Sequence, residues 1–211
     1  AGGISFEVNK GSRNAILGDN GQGKSTFLKT IAEELDPISG TFEWGYGVKV
    51  GYYAQHVYQE MDEGGTVLSA LEEMASKDTT RQDVLDMAGS FLFSGDNVKK
   101  PVNVLSGGER ARLCLAGLLL SKSDVLLLDE PTNHLDFETV EALAAALKEY
   151  EGTLFLISHD RTFVSIVATG IIEVKAGGVR LYPGTYEEYV YHLESEMNAH
   201  LGPVNPKKKK K

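Results

Sequence analysis

The stretch that most constrains this chain is GDNGQGKSTF at residues 18–27, which sets Gly18, Gly23, Lys24 and Ser25 in the spacing G-x-x-x-x-G-K-[ST]. It lies between NAIL, an apolar run that reads as a strand, and residues 24–35, which read as a helix stopped by Asp36 and Pro37. In that context glycines let successive backbone N–H groups converge on phosphate oxygens, and the helix N-terminus adds partial positive charge. Lys24 neutralises phosphate, and the Ser25 hydroxyl reaches Mg2+. A tight turn that only needed glycine would require neither the lysine nor the hydroxyl. The candidate phosphate cradle is therefore the loop Gly18, Asp19, Asn20, Gly21, Gln22, Gly23, Lys24, Ser25 and Thr26.

The rest of the chain alternates strand and helix, which implies an α/β core. ISFEV precedes NAIL as a further strand, and GTFEW and VKVGYYAQ alternate like an antiparallel pair joined by glycine-containing turns. Residues 66–92 turn helical and acidic, and a helix is predicted over about 107–120. DVLLLD is the continuous apolar run of a strand buried on both faces of a parallel sheet. The helix FETVEALAAALKEY, the strand GTLFLIS, a short helix from Arg161 and the strands GIIEV and VRLYP follow.

With 211 residues and 42% hydrophobic content, the chain suffices for one sizeable core, or a core with a smaller lobe. No run approaches the roughly 20 apolar residues of a membrane span, so no direct membrane insertion is expected. The start at Ala1, without an initiator Met or signal peptide, reads as a cut or processed end. The single cysteine, Cys114, permits no internal disulfide and lies in an apolar helical run, where a buried inert thiol and a cytoplasmic setting are expected. The net charge is −9 although the last five residues are lysines, so the body is more acidic still. Any nucleic-acid contact must then use a local patch, the tail, or a part outside this chain. The tail, Lys207 to Lys211, follows GPVNP and reads as disordered, the chain's one low-complexity segment.

Other residues carry chemistry by position. A carboxylate at the end of the buried strand VLLLD can project beside the phosphate loop, which assigns Asp129 to Mg2+. Glu130, one residue on, is placed to orient or deprotonate the attacking water. Gln55 and His159 end apolar strands in GYYAQH and LFLISHD, where an amide can contact metal or water and an imidazole the γ-phosphate; each is otherwise a plain polar strand terminus. His56, His134, His192 and His200 show no metal-ligand spacing and read as surface or turn residues, and Trp44 and Tyr46 as packing or surface aromatics. Ser106, Gly107, Gly108 and Glu109 read as a helix cap with an acid in the first turn.

Taken together, the phosphate loop, Gln55, LSGGE at 105–109, LLLDEP, NHLD and SHD stand in the order seen in ATP-binding cassette ATPases, which the chain resembles to about Tyr189. The resemblance implies a P-loop NTPase core with a mostly parallel sheet, an antiparallel β subdomain and a small helical signature-motif subdomain at about 62–121. A cassette over 1–190 and a C-terminal extension over 191–211 are expected. In that family two cassettes face head to tail around two ATP, and the LSGGE of one closes over the nucleotide of the other. Ser106, Gly107 and Gly108 would thus serve the partner's γ-phosphate, and neither half-site would be active without a partner cassette. The resemblance also places Asp136 at the interface between cassettes and makes His159 the switch histidine at the γ-phosphate.

DEPTNHLDFET, SHDRTFV and YPGTYEEYV narrow the resemblance to the ABC-F branch, whose members carry two cassettes, lack a membrane domain and mostly act on ribosomes. This implies as partners a second cassette, on the same full-length chain or as a second copy of this one in a homodimer, and the ribosome, with RNA contacted through parts outside this core. The family's adenine-stacking aromatic and the helical linker between cassettes do not occur in the chain, which therefore reads as one cassette, the second, of a longer protein. The alternative is the ATP-binding subunit of a membrane transporter.

Overall fold

In the computed structural model, which describes residues 7–54, 64–133, 135–175, 178–182 and 184–201, the apolar runs become the middle of one sheet. Its strands are β1 (Arg13–Leu17), β2 (Val50–Tyr53), β3 (Val125–Asp129), β4 (Thr153–Ile157), β5 (Gly170–Lys175) and β6 (Gly178–Tyr182), in the order β2-β3-β4-β1-β5-β6. Every pairing is parallel except β5 with β6. All five residues of β3 and all five of β4 are buried, as expected of strands without polar alternation. The even and odd positions of β3 feed two different cores. Val125 and Leu127 join Ile16, Leu28, Phe155 and Ile172 on one face. Leu126 and Leu128 join Leu113, Leu143, Leu154 and Phe163 on the other.

The antiparallel pair expected from GTFEW and VKVGYYAQ is not formed. Residues 41–44 hold no strand, and β2 pairs in parallel with β3, Val50 opposite Val125 and Tyr53 opposite Leu128. The reason is packing on both faces: Tyr53 packs into one core while Val50 and Tyr52 lie against the other, so β2 joins the layered sheet as the edge strand beside β3. Phe42 and Trp44 are spent on packing instead. The Trp44 Nε1 donates to the Ile31 carbonyl at 2.9 Å, and its ring meets Phe155 edge-on at 6.2 Å. The antiparallel pair is β5–β6. Of ISFEV, residues 4–6 lie outside the described residues, and Glu7 and Val8 are not in a strand.

The helices are α1 (Lys24–Ile31), α2 (Val67–Met74), α3 (Arg81–Ser90), α4 (Gly107–Leu120), α5 (Phe137–Glu149), α6 (Arg161–Val167) and α7 (Tyr186–Leu201). Helix α1 stops short of the expected 24–35 because Glu33 turns into the left-handed region at φ 63. Helices α2, α3 and α4 open on reciprocal capping boxes, Thr66 with Ser69, Thr80 with Asp83 and Ser106 with Glu109. Asp136 caps α5 and Asp160 caps α6. The acids of NHLD and SHD are therefore structural as well as recognisable. No described helix is long and apolar enough to cross a membrane.

YPGTYEEYV explains itself through α7. Tyr182 on β6 packs edge-on against Tyr189 at 5.6 Å and stacks on His192, which is thus a packing residue. The Tyr189 hydroxyl donates to Glu173 Oε1, a carboxylate only 6% exposed on β5, which Lys175 also pairs at 2.8 Å. Burial pushes the Glu173 carboxyl up, but the bonds from Lys175 and Tyr189 outweigh it and hold it below the ordinary range. The lysine tail lies outside the described residues. Tyr189→Phe should lower stability at neutral pH by about 1–3 kcal/mol, the cost of leaving a buried charged group one donor short. Because the folded pKa is depressed, the difference should be present above the unfolded glutamate pKa of about 4.3 and shrink as pH falls through the lower folded value. Urea unfolding of both proteins at pH 7 and below pH 4 measures it.

Candidate nucleotide-binding site

Because β1, β3 and β4 run parallel, the segments leaving their C-terminal ends emerge at one edge of the sheet, where open α/β sheets bind ligands. From β1 comes the glycine loop. A Cβ on Gly18 would run into the Val174 carbonyl of β5, so only glycine lets the loop leave the sheet here. Lys24 reaches back across the loop, its Nζ donating to the carbonyls of Gly18 at 2.8 Å and Asp19 at 3.1 Å. Asp19, Asn20 and Gly21 are exposed, and Gln22 closes the turn through its N–H on the Asp19 carbonyl. Gly23 caps α1 in the left-handed region at φ 93 and brings no side-chain acceptor, unlike the caps of α2–α6. Helix geometry gives the first N–H groups of α1, from Lys24, Ser25 and Thr26, no acceptor inside the helix, an arrangement suited to an anion.

From β3 comes Asp129, 3% exposed, whose Oδ1 accepts from the Ser25 hydroxyl at 3.2 Å. Burial pushes its carboxyl above the ordinary aspartate range, against the pull of the Ser25 hydrogen bond and the charges of Lys29 and Lys24. Glu130 follows, 9% exposed and in the left-handed region at φ 53, a conformation that costs a non-glycine residue energy and concentrates at functional sites. Its position is fixed from several sides. The Glu130 N–H donates to the Ile157 carbonyl at 2.9 Å, and Oε2 accepts from the His159 N–H at 3.3 Å. Its Oε1 lies 3.2 Å from His159 Nε2. The loops after β3 and β4 are further tied by the Thr132 and Ser158 hydroxyls, 3.3 Å apart. The structure thus brings together Lys24, Ser25, Asp129, Glu130 and His159.

Ser106, Gly107 and Gly108 take part in none of these hydrogen bonds and sit at the start of α4. Ser106 bonds Glu109 through its N–H at 2.9 Å, and Glu109 pairs with Lys100 at 2.7 Å. Lys100 and the Ser106 N–H hold the Glu109 carboxyl at about 2, well below its usual range. The serine and both glycines open α4 at the surface, as a cap with an acid in the first turn. Gln55, His56 and His134 lie outside the described residues, and no cluster of three or more His, Cys, Asp or Glu able to hold a metal occurs among the described ones. Cys114 is partly buried, and burial pushes its thiol up to about 11, in keeping with an inert side chain.

Sequence reasoning missed two features. The left-handed turn at Glu130 has no signal in DEP beyond the following proline. Arg112 reaches from α4 to Asp136 at 2.9 Å and lies over the Phe93 ring at 5.5 Å, which joins the helix that Ser106 opens to the start of α5. Its position on the same helix as the glycine pair, three residues past Glu109, was the available clue.

Residues 1–133 match the family model described as ABC transporter. The probable ATP-binding protein YbiT of Escherichia coli O157:H7 is 44% identical over 180 residues, which cover 85% of this chain and 34% of that protein. ABC transporter F family member 5 of Arabidopsis thaliana is 38% identical over 195 residues, covering 92% of this chain and 28% of that protein. Among solved structures, the archaeal ribosome recycling factor aABCE1, in complex with the ribosomal stalk protein aP1, superposes with a TM-score of 0.76 at 29% identity, covering 91% of this chain and 38% of that one. The chain spans about a third of the length of the curated relatives it matches. With the family model over more than half of it and F-family relatives over nearly all of it, the chain belongs to the ABC transporter family as an ATP-binding cassette ATPase domain of the ABC-F branch.

Proposed function

We propose that this chain is one cassette, the second, of a protein that closes two cassettes head to tail around two ATP and hydrolyses them while acting on the ribosome. The observation that carries the reading is the convergence of Lys24, the Ser25–Asp129 pair and the Glu130–His159 pair at one sheet edge, while Ser106 opens a separate helix at the surface. The two groups make complementary half-sites rather than one complete site, so activity depends on a partner cassette.

Within the site, the glycine loop and Lys24 hold the β- and γ-phosphates. Glu130 accepts the proton of the attacking water, whose oxygen bonds the γ-phosphorus as the bond to the ADP oxygen breaks. His159, held at Glu130, faces the γ-phosphate. Mg2+ fits the donors present, because a hydroxyl and a carboxylate are hard oxygen ligands and burial leaves Asp129 short of a positive partner. Ser25 and Asp129 would hold it, with Gln55 as a further oxygen ligand, and when bound it neutralises phosphate charge. The ribosomal role is supported by the F-family relatives and by the similarity to the archaeal recycling factor, whose own partner in its solved complex is a ribosomal stalk protein. RNA contacts would come through parts outside this acidic core.

In the two-cassette protein, Glu130→Gln should keep ATP binding, since Lys24, Ser25 and Asp129 are untouched, and lower hydrolysis at that site roughly a hundred- to ten-thousand-fold. Single-turnover hydrolysis and filter binding measure the two quantities, and loss of binding with hydrolysis would contradict the assignment. The same variant should accumulate on purified ribosomes in ATP. Adding Ser106→Arg, which blocks closure over the opposing nucleotide, should release it in cosedimentation. Retention on membranes instead of ribosomes would overturn the translation reading in favour of a transporter subunit.

A further inference from the structure

Ser106 has one hydroxyl proton and two claims on it. In the structure the O–H donates to Glu109 Oε2 at 3.0 Å, and the Ser106 N–H donates to the same oxygen at 2.9 Å. The half-site reading needs that hydroxyl for the γ-phosphate of a partner cassette, and it brings the phosphate, a second anion, to the helix end where Glu109 already stands. Glu109 Oε1 meanwhile accepts from Lys100 Nζ at 2.7 Å. Lys100, together with the Ser106 N–H, keeps the carboxyl ionised.

The fold does not need the Lys100 side chain. Its backbone is held separately: the N–H donates to the Asn97 carbonyl at 3.1 Å, and the carbonyl accepts from the Val67 N–H at 3.0 Å. The ion pair is partly open to solvent, with 40% of the lysine side chain and 22% of the glutamate side chain exposed, and such pairs add little stability. Gly107 is equally unexplained by this chain's own packing. It lies outside the left-handed region, and a Cβ there would meet no atom within 4 Å among the described residues.

We propose that Lys100 is a positioning residue of the Ser106 half-site, neutralising Glu109 so that the Ser106 hydroxyl can turn to the γ-phosphate of the partner cassette without two anions repelling at one helix end. The inference rests on the head-to-tail reading above. With Lys100 in place, Glu109 keeps the ammonium and the Ser106 N–H when the hydroxyl leaves it. Without Lys100, the carboxylate would hold the hydroxyl more tightly and face the phosphate as an uncompensated charge. Both effects oppose closure of the cassettes.

The test uses the two-cassette protein with Mg2+ and a non-hydrolysable ATP analogue, and reads the analogue concentration for half-maximal closure by fluorescence energy transfer between the cassettes. Lys100→Met should raise that concentration about tenfold, and Lys100→Arg, which keeps the charge, should return it to within about threefold of the unsubstituted protein. Adding Glu109→Gln to Lys100→Met should recover most of the shift, because glutamine can keep the cap while removing the charge. Thermal midpoints should not differ between Lys100→Met and the unsubstituted protein. An unchanged closure concentration in Lys100→Met would overturn the inference, as would a shift that Glu109→Gln leaves in place, since the lysine would then act other than through that charge. Should the unsubstituted protein fail to close, or Ser106→Arg fail to block closure, the head-to-tail reading itself falls and takes the inference with it.

Discussion

The parallel pairing of β3 with β2 on one side and β4 on the other is the constraint from which the rest of the molecule follows. A strand as apolar as VLLLD is stable only when both faces are covered. Helix α1 and the aromatics Phe42 and Trp44 cover one face, and α4, α5 and α6 cover the other. Parallel strands need crossovers, and the crossovers leave the strands at a common edge. The glycine loop, Asp129, Glu130 and His159 meet for that topological reason, although up to 141 positions separate them in sequence.

At that edge the site is held in a costly arrangement. Asp129 is a buried acid whose nearest polar partner is a neutral hydroxyl, and Glu130 is buried in a left-handed turn. Both features disfavour the isolated site and favour a charged ligand with positive counter-charge, which is where such strain is found in proteins. The hydrogen bonds that tie the Glu130 residue to Ile157 and His159 are what over-determine its geometry. On the far side of the sheet, Arg112 ties the helix that Ser106 opens to Asp136, the cap of α5. The surface expected to meet a partner cassette is thereby bonded to the segment that follows Glu130.

Much of this was legible in the residues. The G-x-x-x-x-G-K-S spacing, the buried DVLLLD run and the capping pattern SGGE each have a local physical cause, and the structure places them as that cause requires. The failures are equally physical. VKVGYYAQ alternates like a hairpin strand, but alternation cannot say which neighbour a strand pairs with, and packing on both faces of β2 decided for β3. Helix α1 reads longer than it is because nothing in EEL marks Glu33 as left-handed. Arg112 and Tyr189 act through tertiary contacts with residues far away in sequence, which periodicity does not carry.

If the edge formed by β1, β3 and β4 is an ATP site built around Lys24, that lysine should decide whether the nucleotide binds at all. Isothermal titration of Mg2+ and ATP into the 211-residue chain and into its Lys24→Ala variant puts the question to the molecule. Saturable ATP binding that the variant loses is the predicted result. Equal binding by both proteins, or binding by neither, would contradict it.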